Sequence, residues 1–128
     1  MSRDIKAQEG PYWFTPKSYG NADDEKPFMV ELKPINGRDY SALEAGEIKK
    51  RLDLIRAEDW DGAVEGFDCA IVNKCLVQVK NYSSNEMEAN AQNLVQMLLD
   101  GPPTERIYIQ EIAQQIEKGR LDEGVLKN

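Results

Sequence analysis

Histidine is absent from the chain and cysteine occurs only twice, and each scarcity closes off a class of chemistry. Without histidine, neither a Ser-His-Asp nor a Cys-His constellation can be built, and the commonest general base and metal ligand is missing. Two cysteines alone do not make a structural zinc site. On one helix, Cys69 and Cys75 would stand ~9 Å apart, beyond disulfide reach, so they read as buried small hydrophobes. No G-x-x-x-x-G-K-[ST] loop or G-x-G-x-x-G turn occurs, which removes the nucleotide-binding fingerprints. No apolar run approaches the ~20 residues that span a bilayer, and residues 1–9 are too polar for a signal peptide. A soluble, cytosolic protein is expected. The Asn81-Tyr82-Ser83 sequon would matter only in a secreted chain.

Positive charge is also in short supply: 16 Lys+Arg against 23 Asp+Glu, a net charge of −7. Such a chain is repelled by phosphate backbones and anionic lipid, so neither nucleic acid nor a membrane is an expected partner. The one basic cluster, Lys49-Lys50-Arg51 with Arg56, fans across ~200° of a helix. It reads as a solvated face or as a small docking patch for an acidic partner.

What the chain does have is a globular composition, 41% hydrophobic and 30% charged, over 128 residues. That length suits a single domain (1–128) that buries roughly two-thirds of its unfolded surface. Residues 1–27 read as an extended aromatic arm, broken by Pro11, Pro16, Gly20 and Pro27. Residues 28–128 read as a helical body. Phe28, Val30 and Leu32 alternate with Met29 and Glu31, the period of a strand. A hairpin is expected between residues 12–15 and 28–33, with Asp23-Asp24-Glu25 in its loop.

Four helices are expected, near residues 40–57, 62–74, 84–100 and 104–118, giving a mainly α (α+β) fold. The first is capped by Asp39 or Ser41. It carries Ile48, Leu52 and Ile55 on one face and Leu43 and Leu54 on a second, and two apolar faces predict weak self-association. Asp59-Trp60-Asp61-Gly62 is a turn whose acids cap the next helix, with Val64, Phe67, Ile71 and Cys75 as its stripe. Residues 75–80 read either as the end of that helix or as a strand. Ser83 and Glu86 form a capping-box pattern ahead of Met87, Ala91, Leu94 and Leu98. Gly101 and Pro102-Pro103 end that helix. Thr104 caps the last one, which buries Ile109, Ile112, Ala113 and Ile116, stops at Gly119 and leaves a short acidic tail.

Carboxylates are the remaining candidates for chemistry. Asp59 and Asp61 open like a calcium loop, but Ala63 and Val64 stand where a ligand and a glycine are needed. Glu105, Glu111 and Glu117 fall on the outer face of a helix. No catalytic, metal or cofactor site is assigned. Binding residues are expected instead: Tyr12, Trp13 and Phe14 in the arm, with Leu43 and Leu54. The aromatics either fold back over the core or present rigid anchors to a partner.

The element order carries a resemblance. Phe28-Met29-Val30-Glu31-Leu32-Lys33-Pro34 leads through Gly37-Arg38-Asp39-Tyr40 into a helix. A valine-containing segment, Cys75 to Asn81, precedes two helices, and the chain closes on Leu121, Asp122, Glu123, Lys127 and Asn128. Over residues 28–128 this is similar to the tail assembly chaperones of long-tailed bacteriophages. Gln78 and Lys80 stand where that family's glycine-tryptophan turn is expected. The resemblance implies a non-catalytic protein of the host cytoplasm, absent from the mature virion. It would bind the tape measure protein and promote tail tube assembly around it. It also implies a longer, frameshifted form that engages the tail tube subunit, and Leu126-Lys127-Asn128 is compatible with a slippery A-AAA-AAC run. The competing readings are a head–tail completion protein and an acidic inhibitor or antitoxin-like binder.

Overall fold

The computed structural model describes residues 10–124. The alternation around Val30 works as expected: β2 (Met29–Leu32) buries Val30 and Leu32 and leaves Met29 and Glu31 half-exposed. It is the central strand of a three-stranded antiparallel sheet, between β1 (Tyr12–Phe14) and β3 (Leu76–Lys80). Tyr12 pairs with Leu32 and Phe14 with Val30, while Met29 pairs with Lys80 and Leu32 with Leu76. The amino-terminal hairpin therefore forms, and of the two readings of residues 75–80 the strand prevails. The loop from β1 to β2 contains a 3-10 stretch, Ser18–Asp23. It is tied by one side chain. The Asn21 amide donates to the carbonyls of Pro16 (2.6 Å) and Phe28 (2.8 Å), and its oxygen accepts from the Phe28 N–H (2.8 Å).

Between β2 and β3 the chain leaves the sheet as a helical elbow: α1 (Gly37–Lys50), α2 (Leu52–Arg56) and α3 (Trp60–Cys75). The single helix expected over residues 40–57 is thus two, and its cap is neither Asp39 nor Ser41. Asn36 takes that position, its side-chain oxygen accepting from the Asp39 N–H at 2.8 Å. The break falls at Arg51 (φ −111°, ψ 20°). There the N–H is shared between the carbonyls of Glu47 and Ile48, a tightened last turn. The acid at the start of α3 caps as expected, with Asp59 Oδ1 accepting from the Gly62 N–H at 3.1 Å. Residue 62 must stay small for this, because a Cβ there would sit 2.8 Å from Asp59 Oδ2.

The expected helix over residues 84–100 is half replaced by a small hairpin, β4 (Ser83–Ser84) with β5 (Met87–Glu88). Asn85 and Glu86 both have positive φ, 52° and 67°, as a two-residue type I′ turn requires. Ser83 and Glu86 therefore form no capping box, and Met87 is exposed. A reciprocal lock restarts the helix. Asn90 Oδ1 accepts from the N–H groups of Gln92 and Asn93, and Asn93 Oδ1 accepts from the Asn90 N–H. α4 (Leu94–Asp100) then buries Leu94 and Leu98.

After a 3-10 turn at Pro103–Glu105, α5 (Arg106–Gly124) buries Ile109, Ile112, Ala113 and Ile116, as its spacing predicts. It does not stop at Gly119. The helix continues to Gly124, into the expected tail, and passes the Tyr12 hydroxyl at Gly119, where a Cβ would lie 3.6 Å from that oxygen. The expectations for residues 1–9 and for Leu126-Lys127-Asn128 lie outside the described residues.

One core cluster joins β2, Ile35, Tyr40 of α1, the end of α3 (Ile71, Val72, Cys75), α4 and α5. Burial pushes the Cys75 thiol up to about 11 and raises that of half-buried Cys69. The fold is mainly helical α+β. Among the described residues no helix is long and apolar enough to cross a membrane.

Candidate functional site

The elbow carries an open apolar groove of about 280 Å³. Its walls follow from helix periodicity. Trp60, Val64 and Phe67 recur at i, i+4 and i+7 along the first turns of α3, and Ile48 of α1 and Ile55 of α2 line the groove with them. Phe67 connects the groove to the core through an edge-on contact with Tyr40, ring centroids 5.7 Å apart. The rest of the wall is uncovered: Trp60 is 57% exposed, Val64 55% and Ile48 48%. Isolated exposed hydrophobes are ordinary, but several lining one concavity mark an interaction surface.

The polar side of the groove is built around Arg51. Its guanidinium pairs with Glu47, whose side chain is otherwise nearly buried and also meets Lys50 Nζ at 3.6 Å. The same guanidinium lies across Gly66, where any Cβ would collide with it. The absent side chain at residue 66 thus lets Arg51 reach across from the α1–α2 break onto α3.

One helical step away, a second hollow of about 200 Å³ is lined by Asp61, Val64, Glu65, Asp68, Arg106 and residues of α5. The carboxyl of Asp68 is pushed up to about 6, mainly by burial, with repulsion from Glu117 and Glu65 adding to it. Arg106 reaches Glu65 only at 3.8 Å, with both side chains about half-exposed. Such a pair contributes little.

The binding residues expected from the sequence do not form one site. Tyr12, Phe14 and Leu43 are half-buried and pack against the core. Trp13 points the other way, its ring beneath Lys80 Nζ at 4.4 Å from the centroid. Leu54 is exposed on α2 and does not line the groove. The two apolar faces expected of the first helix do not hold as units: Leu43 contacts the core while Leu54 is exposed, and Ile48 and Leu52 are exposed while Ile55 is half-buried. The three α5-side carboxylates are not a solvated outer face either. All are half-buried. Glu111 accepts from the N–H groups of Lys17 and Ser18 (2.8 and 3.1 Å), pinning the arm, and Glu105 accepts from the Tyr82 hydroxyl at 2.8 Å. That bond and burial raise the Tyr82 phenol, burial being the larger cause.

The spacing places Ile48, Ile55 and Val64 on apolar stripes without showing that those stripes face one another across a groove. The sequence places Trp60 in a turn, whereas it is the first residue of α3. The available signal was the matched spacing of two adjacent triplets, Trp60-Val64-Phe67 and Asp61-Glu65-Asp68. Among the described residues no group of three or more Cys, Asp or Glu is placed to hold a metal ion. No protein-family model, curated protein or solved structure matches the chain.

Proposed function

We propose that the protein is a non-catalytic chaperone that holds a helical segment of a client in the elbow groove. The observation that carries this reading is the apolar concavity between α1–α2 and α3, with Trp60 and Val64 more than half exposed. A groove walled by helices and lined by aromatic and branched aliphatic side chains fits an amphipathic helix, whose apolar face fills it. The acidic surface elsewhere keeps such a complex soluble.

The family resemblance supplies the client: the phage tape measure protein, bound in the host cytoplasm while tail tube subunits polymerise around it. The chaperone then leaves and is missing from the finished particle. The full chain co-expressed with the tape measure protein of its own genome should co-purify with it. Trp60→Ala together with Val64→Ala should abolish co-purification without lowering the melting temperature. Absence of a complex with the unaltered chain sinks the reading. Finding the protein in purified virions in fixed proportion to the other structural proteins would replace it with the head–tail completion reading.

A further inference from the structure

The groove and the acidic hollow share Val64 and run side by side along α3. Asp61, Glu65 and Asp68 repeat the i, i+4, i+7 spacing of Trp60, Val64 and Phe67, one residue on. The two stripes are therefore parallel, ~10 Å long and rotated by ~100° about the helix axis. One is apolar and open; the other holds three carboxylates. Of the cations lining the two hollows, Arg51 is engaged with Glu47, and Arg106 makes only the long, half-exposed contact with Glu65. Glu117 of α5 adds repulsion at Asp68. An occupant that brought no positive charge would leave this crowding unrelieved.

From this arrangement we infer that the occupant of the groove is a basic amphipathic helix, whose apolar stripe covers Trp60 and Val64 while Lys or Arg along one flank faces Asp61, Glu65 and Asp68. The inference rests on the helix-binding reading above and adds the charge of the partner. A lysine or arginine stem lies over Val64 while its head reaches the carboxylates, so one side chain serves both stripes. A second copy of this net-acidic chain is disfavoured as occupant, because it would bring further like charge to the carboxylates. The arrangement gives charge the role of selecting among apolar helices and setting their approach, with apolar burial supplying the attraction common to all of them.

The test uses the full chain and two labelled helical peptides of about five turns. They share one leucine stripe and differ only in carrying lysine or glutamate along one flank. Fluorescence anisotropy should show the lysine peptide binding about tenfold more tightly at low salt, the size of two or three exposed charge pairs. The gap should narrow at high salt and close in the triple variant Asp61→Asn, Glu65→Gln, Asp68→Asn. Arg106→Gln removes a competing cation and should tighten the lysine peptide further. Should the triple variant fail to fold, Arg106→Gln decides: no tightening overturns the inference. Equal affinity for the two peptides overturns it while leaving the helix-binding reading intact. If neither peptide binds, both fall. Self-association that buries Trp60 and is not displaced by the lysine peptide would make a second copy the occupant and also overturn it.

Discussion

The two ends of α3 occupy different surroundings although one apolar stripe runs along both. At its carboxy-terminal end Ile71, Val72 and Cys75 are fully covered by the sheet, α4 and α5. At its amino-terminal end Trp60 and Val64 face outward, with Ile48, Ile55 and the Glu47–Arg51 pair across the groove. The body thus fills its own core, while the elbow leaves an apolar face unfilled. Periodicity reports that a helix has an apolar face; it does not report what covers that face. That information lies in the neighbouring elements, and here the neighbours run out halfway along one helix.

The comparison makes unequal demands on similar substitutions. Leu98→Ala, in the fully buried body, should cost about 2–5 kcal/mol of stability. Val64→Ala, in the elbow, should stay within about 0.5 kcal/mol. Urea denaturation of the two variants separates them, and similar losses would mean that the elbow face is covered in solution.

Next in size is the arm, where neighbouring aromatics divide in the same way. Phe14→Ala removes a half-buried ring packed on the core and should cost about 1–3 kcal/mol. Trp13→Ala removes an outward ring and its contact with Lys80, about 0.5–1 kcal/mol. Thermal melts that reversed this order would make Trp13 the structural residue and free Phe14 to act as an anchor.

A stabilising effect is expected at Asp68, where body and elbow meet. Its folded carboxyl titrates near 6, above the ordinary value of 3.8, so the charged form is the one the fold disfavours. The destabilisation is full above the folded value and disappears as pH falls through 6 towards 4. After discounting for solvent at this half-exposed site, Asp68→Asn should stabilise the protein by about 1 kcal/mol at pH 7.5. The gain should vanish near pH 4. A gain that persists at pH 4 would assign the effect to packing.

Much of the body was legible because its signals agree with one another. The alternation of β2, the isoleucine spacing of α5 and the Asp59 cap each predict what forms. The failures occur where two local devices compete for the same residues. Ser83-Ser84-Asn85-Glu86 satisfies the pattern of a capping box, yet Asn85 equally suits a left-handed turn position. With the turn formed, Ala89 N–H bonds back to the Tyr82 carbonyl and extends the hairpin. Gly119 has the composition of a helix stop, but nothing after it forces the chain to turn. The groove was hidden for a related reason. Ile48 and Leu43 lie five residues apart on α1, and only the direction of α3 decides which of them faces inward.

The elbow is also an insertion. Its 37–75 span leaves the sheet after Leu32 and returns at Leu76, and those two residues are paired. Just beyond them the Lys33 N–H donates to the Cys75 carbonyl at 2.8 Å. The entry and exit of the elbow are therefore held together by the β2–β3 strand pair, while its tip carries few buried side chains. Opening at Arg51 or around Trp60 need not unzip a single strand pair. In amide exchange the tip should behave as a separate low-stability unit, protected far less than β2 and β3, whose amides are released only when the whole molecule unfolds. A client helix seated in the groove would then extend protection to the tip and leave the sheet's exchange unchanged.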